Sequence, residues 1–269
     1  MKMENRKYYH RKIFYFLSLA IVFLIPVYGR IIPALIALMV LNWLIEGEYI
    51  HTIPGFFHNK KRWQLLSFSI LFLLYLLGMI YSRNVSFGLF DLQIKLSLLI
   101  FPLVLSTQSL DDFDIPSRKD WLLSFLAGCM TGCLILLIHA FGRYIRTGEP
   151  GAFYYTHLSW YMHSSYMSMY LSFATAVIGF FLIEFKEKIK RSFRIILYAT
   201  AILFLIVIIL ISSKAGLISL SLVIISWVMV LAFEKKQKIA AVAVLVVSAF
   251  LIAGCIKLFP FVSGRIETT

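Results

Sequence analysis

The sequence predicts an all-α, polytopic integral membrane protein of about nine transmembrane helices with its N-terminus in the cytoplasm. Two observations lead there. Hydrophobic residues make up 61% of the 269 positions and charged residues 14%, with mean hydropathy +0.87, whereas a soluble domain is about half apolar and about a quarter charged. Thirteen acids and 26 bases cannot cover a folded body of this size in water, so most of the surface faces lipid. The apolar residues also fall into separate runs, each close to the roughly 20 residues that cross a bilayer. Disorder, coiled coil and collagen are excluded by the same composition.

The first run, 13–28, follows a basic leader of Lys2, Arg6, Lys7, Arg11 and Lys12. It looks like a signal peptide, but no small-residue cleavage site follows and a second span, 31–45, begins at once, so it reads as a retained anchor. The third span is 63–81. The fourth, 92–106, is the least apolar, with Asp91, Gln93 and Lys95 at its head and Pro102 near its end. Spans 121–141 and 165–185 flank the longest outer loop, 142–164. The stretch 195–233 is about twice one span, and its lone charge, Lys214, lies mid-way beside Ser212, Ser213 and Gly216. That pattern predicts a tight helical hairpin, 195–212 and 215–233. The ninth span is 239–258. Residues 1–269 thus read as a single transmembrane domain, without an internal repeat. Cys129, Cys133 and Cys255 lie in apolar runs and read as reduced packing residues.

The bases set the orientation. With a cytoplasmic N-terminus and alternating spans, the inner segments hold the leader bases, Lys60, Lys61, Arg62, Arg118, Lys119, Lys186, Lys188, Lys190, Arg191, Arg194, Lys235, Lys236 and Lys238. Every inner loop is basic, as the positive-inside rule requires. The net charge of +13 is thereby a topology signal, and no nucleic-acid partner is expected.

The informative cations are those left outside: Arg30, Arg83, Lys95, Arg143, Arg146, Lys214, Lys257 and Arg265. Loop 142–164 holds Arg143, Arg146, His157 and His163 among Phe153, Tyr154, Tyr155, Trp160 and Tyr161. An interfacial aromatic belt accounts for the rings. A groove for a ligand that is part sugar and part lipid accounts for rings and bases together. His163, Tyr166, Tyr170 and Ala174 share a helical stripe, with Ser164 or Ser165 as N-cap, and such a helix mouth favours phosphate. The alternative is an interfacial histidine that is simply hydrogen-bonded. Lys214 stands where the topology disfavours positive charge and reads as a site residue, against simple snorkelling. Asp91 and Lys95 are spaced for an i,i+4 ion pair, which leaves Arg83 with the outer basic set. No metalloprotease, nucleophile-elbow, nucleotide-loop or Cys-x-x-Cys motif occurs. His157 and His163 lack a carboxylate neighbour, so no zinc site is expected. His139 is the ionisable residue well inside a span, and the scarcity of buried acids counts against a proton-coupled carrier.

The segment His163-Ser164-Ser165-Tyr166-Met167-Ser168-Met169-Tyr170-Leu171 resembles the His-Pro-Ser-Tyr-type segment of bacterial O-antigen ligase/polymerase-like membrane proteins, particularly those of Bacteroidetes. Ser212-Ser213-Lys214-Ala215-Gly216-Leu217 resembles their Ser-Arg-Ala/Gly turn, and Gly78–Asn84 with Phe90–Leu98 resembles their third and fourth spans. The resemblance implies an inner-membrane glycosyltransferase acting on the periplasmic side. It would take a glycan from undecaprenyl diphosphate and join it to lipid A–core or to another glycan, with no cofactor, nucleotide sugar or metal. Lys214 would occupy the turn position that usually holds Arg, and His163 the position of the family's histidine, a candidate general base. Arg143, Arg146, Arg83, Arg265 and Tyr166 would complete the diphosphate and glycan site. Ser164 departs from the family's Pro. The family's large periplasmic loop and last spans would follow Thr269, so the resemblance also implies a C-terminally incomplete chain.

Two other readings stand beside this one: a membrane transporter or flippase with a basic outer vestibule, and a truncated, non-catalytic relative. The orientation is tested by impermeant thiol labelling of single cysteines placed at 163 and 214 in a background free of native cysteines. Labelling from outside is expected; labelling from the cytoplasm alone contradicts the topology.

Overall fold

The computed structural model describes residues 2–47, 49, 67–107, 116–185 and 189–235. The expected span 239–258, Cys255, Arg265 and the first residues of span 63–81 lie outside them. The described residues form helices and no strands. In order these are α1 Lys2–Leu24, α2 Ile32–Glu46, α3 Ser69–Gly78, α4 Val85–Lys95, α5 Ser97–Thr107, α6 Pro116–Thr147, α7 Tyr155–Leu158, α8 Ser164–Glu184, α9 Arg191–Ile211 and α10 Lys214–Lys235, with short 3-10 turns between some of them. Among the described residues, five helical stretches are long and apolar enough to cross a membrane: Gly29–Glu46, Val85–Leu105, Lys119–Thr147, Ser164–Glu184 and Arg191–Ile211. Large apolar side chains stay on the outside, among them Ile138 (70% exposed) and Leu222 (60% exposed). In water such a surface would aggregate; it suits lipid.

The chain divides into two compact units. The first comprises Met1–Val22 and Arg30–Trp121, the second Phe23–Gly29 and Leu122–Thr269. The physical reason is that the turn after α1 gives its backbone to the second unit, at Gly128 and Gly132.

In the first unit, polar side chains tie α1 to its neighbours. Asn42 is buried; its Nδ2 donates to the His10 carbonyl (3.0 Å), so its Oδ1 accepts from His10 Nδ1 (2.8 Å). Arg6 donates to the Ile45 carbonyl at the end of α2 (2.7 Å), where a cation suits the helix dipole. Tyr15 donates to Asp120 (2.6 Å) and the Trp121 indole to Ser18 (2.8 Å). Farther along, the Asn84 side chain caps α4 through the Phe87 N–H (3.0 Å). The expected Asp91–Lys95 pair is present, and Lys95 also lies over the Tyr75 ring at 4.2 Å. Residues around Tyr75, Gly78, Met79 and Asp91 line an open cavity of about 390 Å³.

In the second unit, α8 is the central element, packed on both sides by α9 and α10. The break in 195–233 falls where Lys214 marks it, since Ser212 adopts a left-handed conformation (φ +50°) and ends α9. The tight hairpin is corrected, however: α9 and α10 pack chiefly on α8 and barely on each other. Gly216 explains this. A Cβ there would run into the Ser168 side chain, so glycine lets α10 lie close against the buried stripe Ser164, Ser168 and Ser172. Each of the last two serines satisfies its hydroxyl on the carbonyl four residues earlier, at 2.9 and 2.8 Å, and Ser172 also reaches the Gly216 carbonyl at 3.4 Å. In lipid, where apolar burial drives little, such small-residue packing is what joins helices. Cys129 and Cys133 are free and fully buried on α6, as packing residues.

Replacing Gly216 with Leu is expected to cost about 1–3 kcal/mol of stability in detergent unfolding, and a second substitution, Ser168→Gly, to restore part of it. Unchanged stability of the single variant would remove this contact from the fold.

Candidate functional site

One end of the second unit is built on α6, which continues beyond the expected end at 141. It closes at Gly148 (φ +68°), whose N–H donates to the Tyr144 carbonyl at 2.8 Å. Arg143 and Arg146 therefore stand on a helix rather than in a loop. The rest of 142–164 is not free either, but runs back along α6 in a fixed register. His157, on the short α7, meets Arg143, with Nη1 to Nδ1 at 3.2 Å. Trp160 stacks on His139, with centroids 4.6 Å apart and planes at 27°. Tyr161 turns inward and donates to the Pro26 carbonyl (3.0 Å) beside Gly132, where a Cβ would press to 3.1 Å from the phenol oxygen. Burial pushes the Tyr161 phenol up to about 12, with the two nearby cysteines adding to the effect.

His163, not a serine, is the N-cap of α8. It has extended geometry (φ −60°, ψ 132°), and its Nδ1 accepts from the Ser165 N–H at 3.3 Å. Ser164 already belongs to the helix and is buried, so it has no room to cap. This bears on the expected role of His163 as general base. With Nδ1 accepting, the neutral ring carries its proton on Nε2 and offers a donor. The expected stripe is only partly a lining: Tyr166 is 59% exposed and meets the His163 ring edge-on at 5.7 Å, whereas Tyr170 packs against Phe125 and Ala174 is buried.

One hydrogen bond connects this helix mouth to the Lys214 turn. Ser213 Oγ donates to Ser165 Oγ at 3.1 Å. Lys214, exposed at the start of α10, thus belongs to the same end of the same unit as His163 and Tyr166. Among the described residues, the non-glycine positions with positive φ are Tyr155 (+51°) and Ser212 (+50°). Both border this region, and such conformations cost about 1–2 kcal/mol each unless the surroundings impose them. The remaining candidates fall elsewhere. Arg146 is exposed and donates to the Gly142 carbonyl of its own helix (3.1 Å). Arg83 is exposed in the first unit, and Arg265 is outside the described residues. The structure adds His157, His139 and Trp160 as paired groups. The i,i+4 spacing of His139 and Arg143 on α6 is a sequence signal that could have placed these two on one face.

The Tyr161 bond should persist well into alkali. The folded-state value exceeds the ordinary tyrosine value near 10, so its contribution is intact below about pH 10 and fades as pH rises through about 12. Tyrosinate absorbance, compared with Tyr161→Phe, is expected to show one late-titrating phenol; identical titration of the two proteins contradicts the buried bond. Comparison of the chain with protein-family models, with curated proteins and with solved structures found no match.

Proposed function

We propose that the protein is a bacterial inner-membrane glycosyltransferase of the O-antigen ligase/polymerase type, with nine spans and a cytoplasmic N-terminus. It works on the periplasmic side. The donor is a glycan on undecaprenyl diphosphate and the acceptor is lipid A–core or another glycan. The observation that carries this reading is the Ser165–Ser213 hydrogen bond. It records that the two segments resembling the family's histidine segment and its basic turn meet, although they are far apart in sequence.

The chemistry follows from charge. An acceptor hydroxyl oxygen attacks the anomeric carbon of the donor, and the bond from that carbon to the diphosphate oxygen breaks. Undecaprenyl diphosphate departs with the electron pair, and the acceptor loses its proton to a base. Negative charge therefore grows on the leaving oxygen, where fixed cations and N–H donors lower the barrier most. Lys214 supplies a compact charge on a flexible stem, and Arg143 a forked set of donors. His163, with Nδ1 engaged by its own helix, donates from Nε2 to a phosphate oxygen and leaves proton removal to another group. The positive-inside pattern supports the outer side as the place of reaction.

In proteoliposomes supplied with a lipid-linked glycan donor, Lys214→Ala is expected to lower transfer by about a hundredfold or more while membrane insertion and thermal stability stay unchanged. Lys214→Arg should retain a substantial part of the rate. An unaltered rate in the alanine variant would take Lys214 out of the site.

A further inference from the structure

Within the site just proposed, and resting on that reading, we propose that Trp160 is the stacking platform for the sugar ring next to the phosphate. His139 fixes the platform, and the Arg143–His157 pair grips the phosphate attached to that sugar. The register along α6 is the starting point. His139 and Arg143 are one helical turn apart, which sets them about 6 Å from each other along the axis. The loop places Trp160 on the first and His157 on the second. That spacing is comparable to the reach from a pyranose ring to a phosphate on its anomeric oxygen.

Each pair has one chemical consequence. The His139 imidazole covers one face of the Trp160 indole, while the residue stays 54% exposed. With His139 behind one face, the Tyr161 ring set edge-on at 5.5 Å and over half of the residue exposed, the indole is braced yet reachable, as stacking by the C–H face of a sugar requires. A tryptophan serving only as an interfacial anchor has no need of a ring stacked behind it. His139 Nδ1 is buried without a hydrogen-bond partner among the described residues. A buried polar atom left so is unfavourable, and it marks a ring placed for stacking rather than for hydrogen bonding. Arg143 has only donors, so His157 Nδ1 must accept from it and Nε2 carries the proton. Together the two side chains present N–H groups and no acceptor, a combination that suits the oxygens of a phosphate. His139 is a positioning residue here, whereas Trp160, Arg143 and His157 touch the ligand.

The test uses the full chain in detergent and in nanodiscs, with glucose 1-phosphate, N-acetylglucosamine 1-phosphate, free glucose and inorganic phosphate as probes. Binding is read from the part of tryptophan fluorescence that Trp160→Phe removes, and by calorimetry for the variants. A sugar phosphate is expected to bind more tightly than inorganic phosphate. Trp160→Ala should weaken sugar-phosphate binding about tenfold, the size of one aromatic contact, and leave inorganic phosphate unaffected. Arg143→Gln should weaken both. His139→Ala should follow Trp160→Ala, whereas His139→Phe, which keeps a ring beneath the indole, should bind nearly as the parent does. Failure of every sugar phosphate to bind, or equal binding by Trp160→Ala, overturns the platform. Nanodiscs rich in phosphatidylglycerol separate the two sources of phosphate: competition as strong as that of the sugar phosphate would mean a lipid headgroup site without a sugar platform, and would also overturn it. Sugar-phosphate binding with these dependences, together with no transfer from a lipid-linked donor, would retain the platform and reject the transferase reading.

Discussion

The contact of Gly216 with Ser168 governs the second unit. Without a Cβ at 216, α10 settles onto the serine stripe of α8, and its first residues are drawn to the mouth of that helix. The left-handed Ser212 ends α9 one step earlier, so the turn is short and Lys214 has little freedom of position. The Ser165–Ser213 bond is a consequence of this approach rather than its cause, since one part-buried hydroxyl pair contributes only about 1 kcal/mol. Any larger residue at 216 would lift α10 and take the Lys214 turn with it.

The same use of small residues recurs on α6. Gly128 and Gly132, four apart, admit the backbone of the Phe23–Pro26 turn, and Tyr161 then finds its acceptor in the Pro26 carbonyl. Backbone that is not helical is tolerated at the edge of a membrane only where its polar groups are satisfied within the protein. Here a tyrosine meets that need and at the same time fixes the loop that presents Trp160 and His157. Helix packing, loop register and the positions of the cations are in this way one problem, solved at three glycines.

Much of the helical layout was legible in the sequence, because apolar runs, a lone mid-run lysine and an i,i+4 charge pair are all local signals. What depends on distant contacts was not. α6 overruns its apolar stretch because helical hydrogen bonding continues through Gly142–Thr147 after the hydropathy falls; a polar residue ends an apolar run without ending a helix. The splaying of α9 from α10 depends on Gly216 meeting a residue of another helix. His163 displaces the serines as N-cap because backbone conformation, not intrinsic preference, decides which residue precedes the first turn. The pairing of His157 with Arg143 was not legible because the two lie on different elements. The aromatics of 142–164 carried two readings in the sequence; in the structure Trp160 stacks on His139 and Tyr161 donates to the Pro26 carbonyl.

The central claim is that the helix mouth at His163, the Lys214 turn and the loop bearing Trp160 receive one glycosylated, diphosphate-bearing lipid. Photocross-linking tests it most directly, using an undecaprenyl diphosphate glycan with a photoreactive group on its first sugar, bound to the full chain in membranes and mapped by peptide mass spectrometry. The account predicts adducts concentrated in residues 155–166 and 212–216, and lost when unlabelled donor is added in excess. Adducts scattered over the lipid-facing surfaces of the helices, indifferent to competitor, would contradict it.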